Sequence, residues 1–117
     1  MHDRPPLPEP FRCDVVRAAG ELRVGLTGEL DLATSPALER TLQDVTASAG
    51  GGRVVVDLRR LTFMDSTGLR VLMSWIGAAR QAGLEPVFIP GPPAIQRVFE
   101  TTRLIDRLTF VDPPAGG

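Results

Sequence analysis

The residues best suited to chemistry in this chain lie in the run Met64-Asp65-Ser66-Thr67-Gly68-Leu69. There a carboxylate and two hydroxyls stand side by side just ahead of an apolar, helically spaced segment. Asp65 is a natural helix N-cap, which places Ser66 and Thr67 in the first turn, beside backbone N–H groups that a helix leaves unpaired. An anion carried on either hydroxyl would face the positive end of the helix and be tolerated by the fold. Taken alone, Asp-Ser-Thr ahead of an apolar helix is most often a cap and nothing more. Gly68 has no side chain, so another backbone could approach closely there. A second pair of carboxylates, in Gly28-Glu29-Leu30-Asp31, falls where an alternating run ends. By itself it reads as a solvated turn.

Other chemistries lack their parts. Asp57 ends a short apolar run, as the phosphoacceptor of a response-regulator receiver does. A receiver also needs an acidic pair for Mg²⁺ and a late lysine, and the chain has no lysine at all. It also has no Tyr or Asn, its one His is His2, and its 13 basic residues are all Arg. Schiff-base chemistry, a phosphate-loop lysine and a His-centred triad within the fold are therefore excluded. Cys13 is the only cysteine, so neither an intramolecular disulfide nor a thiolate metal set can form. No nucleophile is paired with a base, and no cofactor motif is present, so the expectation is a binding protein and not an enzyme.

Composition narrows the partners. A net charge of −1 without any basic cluster argues against nucleic acid. The apolar stretch Val71–Arg80 is interrupted by Ser74 and Gly77 and is too short to span a bilayer. The first residues lack the apolar core of a secretory signal, and the single cysteine suits a reducing compartment, so a cytoplasmic protein is expected. Oligomeric state is left open.

The elements that must position Ser66 can be read from periodicity. Residues 1–10 carry four prolines and are expected to form a flexible leader, as are residues 112–117 a tail, leaving one domain over 11–111. Phe11, Cys13 and Val15 alternate, Ala19-Gly20 marks a turn, and Leu22, Val24 and Leu26 alternate again, which predicts an antiparallel hairpin. Ser35 as N-cap with Pro36 at the first helical position opens a helix with Leu38, Leu42 and Val45 on its apolar face, and Gly50-Gly51-Gly52 stops it. Arg53–Leu58 reads as a buried strand joined by a short connection to Asp65. A second helix follows with Leu69, Leu72, Met73, Ile76 and Ala79 on its stripe, Trp75 in the core and Gly83 at its end. Glu85–Ile89 is the next strand. Pro92-Pro93 opens a third helix on Ile95, Val98 and Phe99; a helical turn over Leu104–Leu108 and a short strand over Thr109–Val111 complete the chain. The order predicts an α/β domain with a mixed sheet.

The succession Gly28-Glu29-Leu30-Asp31, a helix, Val54–Leu58, then Met64-Asp65-Ser66-Thr67-Gly68-Leu69 resembles the STAS family (sulphate transporter and anti-sigma factor antagonist domains). It is most similar to the free-standing bacterial anti-sigma factor antagonists, over about Phe11 to Phe110. The resemblance implies partner switching. The unphosphorylated antagonist binds an anti-sigma factor that is itself an ATP-dependent serine kinase and so frees a sigma factor; phosphorylation of the serine after the motif aspartate ends binding, and a serine phosphatase resets the cycle. The matching serine is Ser66, and the resemblance places Asp31, Asp65, Thr67, Gly68 and Leu69 on the partner-binding surface. The alternative is a constitutive docking module of the same family that is never phosphorylated. Two departures stand out: Thr102-Arg103-Leu104 where members often have Thr-Gly-Leu, and Arg70 where some have Gly.

Overall fold

A computed structural model describes residues 9–114. The leader expected over 1–10 therefore lies mostly, and the tail expected over 112–117 half, outside the described residues. The chain runs β1 (Arg12–Ala18), β2 (Glu21–Leu30), α1 (Ser35–Ser48), β3 (Gly52–Met64), α2 (Ser66–Gln81), β4 (Leu84–Ile89), α3 (Pro93–Thr101) and one 3₁₀ turn, Ile105–Arg107. The strands form one mixed sheet in the order β1-β2-β3-β4, with β1 antiparallel to β2 and the other two pairs parallel. The expected hairpin is present. It turns through Ala19 (φ 53°) and Gly20 (φ 78°), and two successive positive φ angles match the right-handed twist of the paired strands.

All three helices pack on one sheet face, over a core of Leu22, Val24, Leu26, Val54, Val56 and Leu58 among others. Among the described residues, the opposite face holds a small cluster, Val55, Val87 and Ile89 with Val111. Trp75 is buried as expected. Its indole N–H donates to Thr46 Oγ1 at 2.9 Å, and its ring meets Phe88 edge-on at 6.3 Å, which ties α1, α2 and β4 together.

Four local expectations need correction. β3 does not end at Leu58: it continues to Met64, leaving no connection before Asp65. Two register shifts against β2 hide this, because each inserts an extra residue on β3. The buried residues Leu58, Leu61 and Met64 then recur every three positions, and alternation is lost from the sequence. Ser35 is not the N-cap of α1. It is the first helical residue, and its hydroxyl is buried without a hydrogen-bond partner. Thr109–Val111 forms a single parallel bridge, Phe88 with Phe110, in place of a strand. The alternation of Phe11, Cys13 and Val15 does not mark one covered face: Val15 is 45% exposed, because β1 is an edge strand under little helical cover.

The end of α3 is built in a left-handed cap. Arg103 takes φ 60°, its N–H donates to Glu100 O at 3.0 Å, and Leu104 N–H donates to Phe99 O at 2.9 Å. That pair of bonds is the helix ending for which glycine is preferred, and an arginine occupies it.

Candidate functional site

The site is assembled where β2 and β3 end together. Leu30 pairs with Met64, the last residue of each strand, and Asp65 N–H donates to Leu30 O at 3.1 Å. Asp31 and Asp65 are thus the next residues after adjacent strands, roughly one strand spacing of ~5 Å apart. The two carboxylates, far apart in sequence, share one edge of the sheet, the carboxyl end where α/β folds place binding sites.

Each carboxylate organises the loop it begins. Asp65 Oδ1 accepts the Thr67 and Gly68 N–H groups at 2.9 and 3.0 Å, which makes it the N-cap of α2 as expected. Asp31 does the corresponding work for α1. Its Oδ1 accepts Ala33 N–H and Thr34 N–H, both at 3.0 Å, and its carbonyl accepts Ser35 N–H at 2.8 Å. Thr34 Oγ1 accepts the Asp31 N–H at 2.9 Å and lies 2.8 Å from Glu29 O. Asp31 therefore fixes the turn that Ser35 was expected to cap.

Ser66 is exposed at the first position of α2, and Thr67 is half-buried behind it. The amides expected to be open beside them are largely taken: Thr67 and Gly68 N–H serve Asp65. Gly68 and Leu69 are buried. The approach that Gly68 permits is an internal one: an added Cβ would lie 2.5 Å from Leu30 Cγ and 2.8 Å from Leu30 Cδ2. This contact seats the first turn of α2 on the end of β2. Leu69 faces a surface hollow of about 370 Å³ that it lines with Ser66, Arg70, Met73, Leu104 and Arg107.

Periodicity did not single out two apolar residues at this edge. Leu32, in the loop after β2, is 74% exposed, and Phe63, one residue before the end of β3, is 47% exposed. Leu32 was hidden because a lone leucine in a loop carries no pattern. Phe63 was hidden because the expected strand stopped short of it.

Away from this edge, Asp57 is not arranged as a phosphoacceptor. Burial raises its pKa, but hydrogen bonds from the Arg59 side chain and backbone outweigh this and hold the carboxyl below its ordinary value. The Arg59 Nη2–Asp57 Oδ2 distance is 2.8 Å. No described group of three or more His, Cys, Asp or Glu residues could hold a metal. Among the described residues, no helix is long and apolar enough to cross a membrane.

Among the described residues, an exposed serine thus opens a helix at the carboxyl edge of a four-stranded mixed sheet, beside two loop-capping aspartates. The family described as "Mlab, STAS domain" matches residues 12–111, and the chain belongs to it. Among curated proteins, the anti-sigma-B factor antagonist of Staphylococcus aureus (strain NCTC 8325 / PS 47) is 36% identical over 86 residues, covering 74% of this chain and 77% of that protein. Among solved structures, an anti-sigma factor antagonist from Mycobacterium paratuberculosis superposes with TM-score 0.75 at 27% identity, covering 90% of this chain and 87% of that one. The anti-sigma factor antagonist SpoIIAA in its unphosphorylated form shares the fold, with TM-score 0.72 at 17% identity over 90% of this chain and 89% of its own.

Proposed function

We propose that this protein is an anti-sigma factor antagonist whose binding is gated by phosphorylation of Ser66. In the unphosphorylated state it docks on an anti-sigma factor that is also a serine kinase, and the sigma factor is released. The kinase then transfers the γ-phosphoryl group of ATP to Ser66 Oγ. ADP leaves, the hydroxyl proton passes to a base on the kinase, and the complex separates. A serine phosphatase hydrolyses the phosphoserine and restores binding.

The observation that carries the reading is the position of Ser66. It is the exposed hydroxyl at an edge that also presents Leu32 and Phe63, in a chain whose relative is an anti-sigma-B factor antagonist. Leu32 and Phe63 supply apolar anchors, and Asp31, Asp65 and Ser66 supply the polar surround. A phosphate adds about −1.5 to −2 charges to a surface that already holds two carboxylates. Inside a closed interface such a group is both like-charged with its neighbours and desolvated, and a loss of ~3 kcal/mol weakens binding more than a hundredfold. Asp65 and Asp31 are committed to capping, so they position the surface whether or not the serine is modified.

The test uses the cognate kinase with ATP. Ser66→Ala retains binding and takes up no phosphate, and Ser66→Asp binds more weakly. Phosphate located by mass spectrometry on the Ser66→Ala chain would move the assignment, with Thr67 the neighbouring hydroxyl. No phosphate on the wild-type chain, with binding intact, would favour a constitutive docking module.

A further inference from the structure

The hollow beside Ser66 has a charge pattern that the docking surface does not use. Arg70 lies four residues after Ser66 on α2, so the two side chains share a helix face. Arg107 comes from the 3₁₀ turn and lines the same hollow from its other wall. Both arginines are exposed. The ion pairs among the described residues are Arg12–Asp14, Arg23–Glu21, Arg53–Glu85 and Arg59–Asp57, and neither Arg70 nor Arg107 belongs to one. Two unpaired guanidinium groups from separate elements thus flank one hydroxyl. None of Asp31, Leu32 or Phe63 lines the hollow.

Charge makes this pairing matter. A phosphate on Ser66 would sit next to the Asp65 carboxylate, which already occupies the Thr67 and Gly68 amides. The helix end therefore has two of its first-turn amides committed to the cap and not to the phosphate. Arginine presents a planar fork that binds phosphate oxygens in pairs, and two such side chains, from separate elements, line the hollow with Ser66.

We propose that Arg70 and Arg107 form an intramolecular clamp for the phosphate of phospho-Ser66, drawing it into the hollow and bridging α2 to the 3₁₀ turn. This rests on the modification of Ser66 proposed above. It makes the phosphorylated form a defined closed state: the phosphate is held against the protein's own surface, and a phosphatase must withdraw it from two arginines before hydrolysis. It also gives Arg70, one of the departures from the family pattern, a role as a residue that holds the switched-off state.

The experiment separates the clamp from the kinase reaction. Phosphoserine is installed at position 66 by genetic encoding, and the phosphate is titrated by ³¹P NMR. The charged groups around it are Asp31 after β2, Asp65 and Arg70 on the α2 side, and Asp106 and Arg107 on the 3₁₀ turn. With the clamp closed, the midpoint falls about one pH unit below the value near 6 of free phosphoserine. Arg70→Gln and Arg107→Gln each raise it, and the double variant lifts it to or above the free value, because Asp65 then acts unopposed. Arg53→Gln, at the far end of β3, leaves it unchanged. A wild-type midpoint at or above that of free phosphoserine, or one indifferent to the double substitution, overturns the clamp. Neither result bears on whether the kinase modifies Ser66, and a kinase that ignores Ser66 would end the switching reading while leaving this titration unaffected.

Discussion

Gly68→Ala tests how Ser66 is held in place. The added methyl would lie 2.5 Å from Leu30 Cγ, 2.8 Å from Cδ2 and 3.2 Å from the Leu30 carbonyl oxygen. Leu30 is fully buried and cannot swing into solvent, and its carbonyl is fixed by the Asp65 N–H. Overpacking of this kind costs about 1–3 kcal/mol, from which the helix-propensity gain of ~1 kcal/mol for alanine over glycine must be subtracted. The net is a destabilisation of about 0–2 kcal/mol, at roughly 4–6 °C of Tm per kcal/mol for a domain near this size. Urea denaturation at equilibrium gives the free energy directly. The same substitution in a Leu30→Ala background isolates the cause. Leu30→Ala alone costs about 2–5 kcal/mol, but it leaves room for the methyl, so Gly68→Ala there becomes neutral or stabilising by up to ~1 kcal/mol. A coupling energy of at least ~1 kcal/mol between the two sites is expected. Equal effects in both backgrounds, or a wild-type background stabilised by alanine, would refute the idea that glycine is there to admit Leu30.

Three further outcomes follow from the geometry. Arg103→Gly removes a left-handed arginine from the end of α3 and should stabilise the domain by about 1 kcal/mol, seen as a higher urea midpoint at unchanged m-value. Asp57 is held below its ordinary pKa by Arg59, so its contribution is present above the unfolded-chain value near 4 and is lost as pH falls through the lower folded value. Acidification from pH 7 to 3 should therefore cost the wild-type chain more stability than Asp57→Asn, measured by urea midpoints at both pH values. Phe63→Glu, at a half-exposed position, should leave stability within about 0.5 kcal/mol yet abolish capture of the anti-sigma factor in a pull-down, and retained capture would remove Phe63 from the docking edge.

The parts of the fold legible in the sequence are those built from local rules. The Ala19-Gly20 turn, the Asp65 cap, the stripe of α2 and its end before Gly83 each follow from a few neighbouring residues, and each is present. The STAS resemblance, drawn from two short motifs in order, is matched by the family over residues 12–111. What escaped depended on pairing across the chain. Register shifts against β2 extended β3 past Leu58, and no pattern within Arg59–Met64 announces them. Asp31 displaced Ser35 as the organiser of α1 because the loop folds back on itself, a choice invisible from capping preference alone. Ser66 and Arg70 are a legible pair at helical spacing, whereas Arg107 joins them only because α3 and the 3₁₀ turn return to α2.

The two shifts in β3 also govern how its length can change. Opposite Gly25–Gly28, β3 carries one residue more than regular pairing needs, and it carries a second opposite Gly28–Glu29. Deleting Arg60 would heal the first irregularity and deleting Thr62 the second; in both cases Met64, Asp65 and Ser66 keep their faces and partners. Deleting one residue from Val54–Val56 has no such outlet. It would turn over the side chains between the deletion and the first irregularity, in the stretch that pairs with both β2 and β4. Deletions are therefore absorbed in the second half of the strand and disruptive in the first. The serine stays at its post while the strand that delivers it is shortened by as many as two residues.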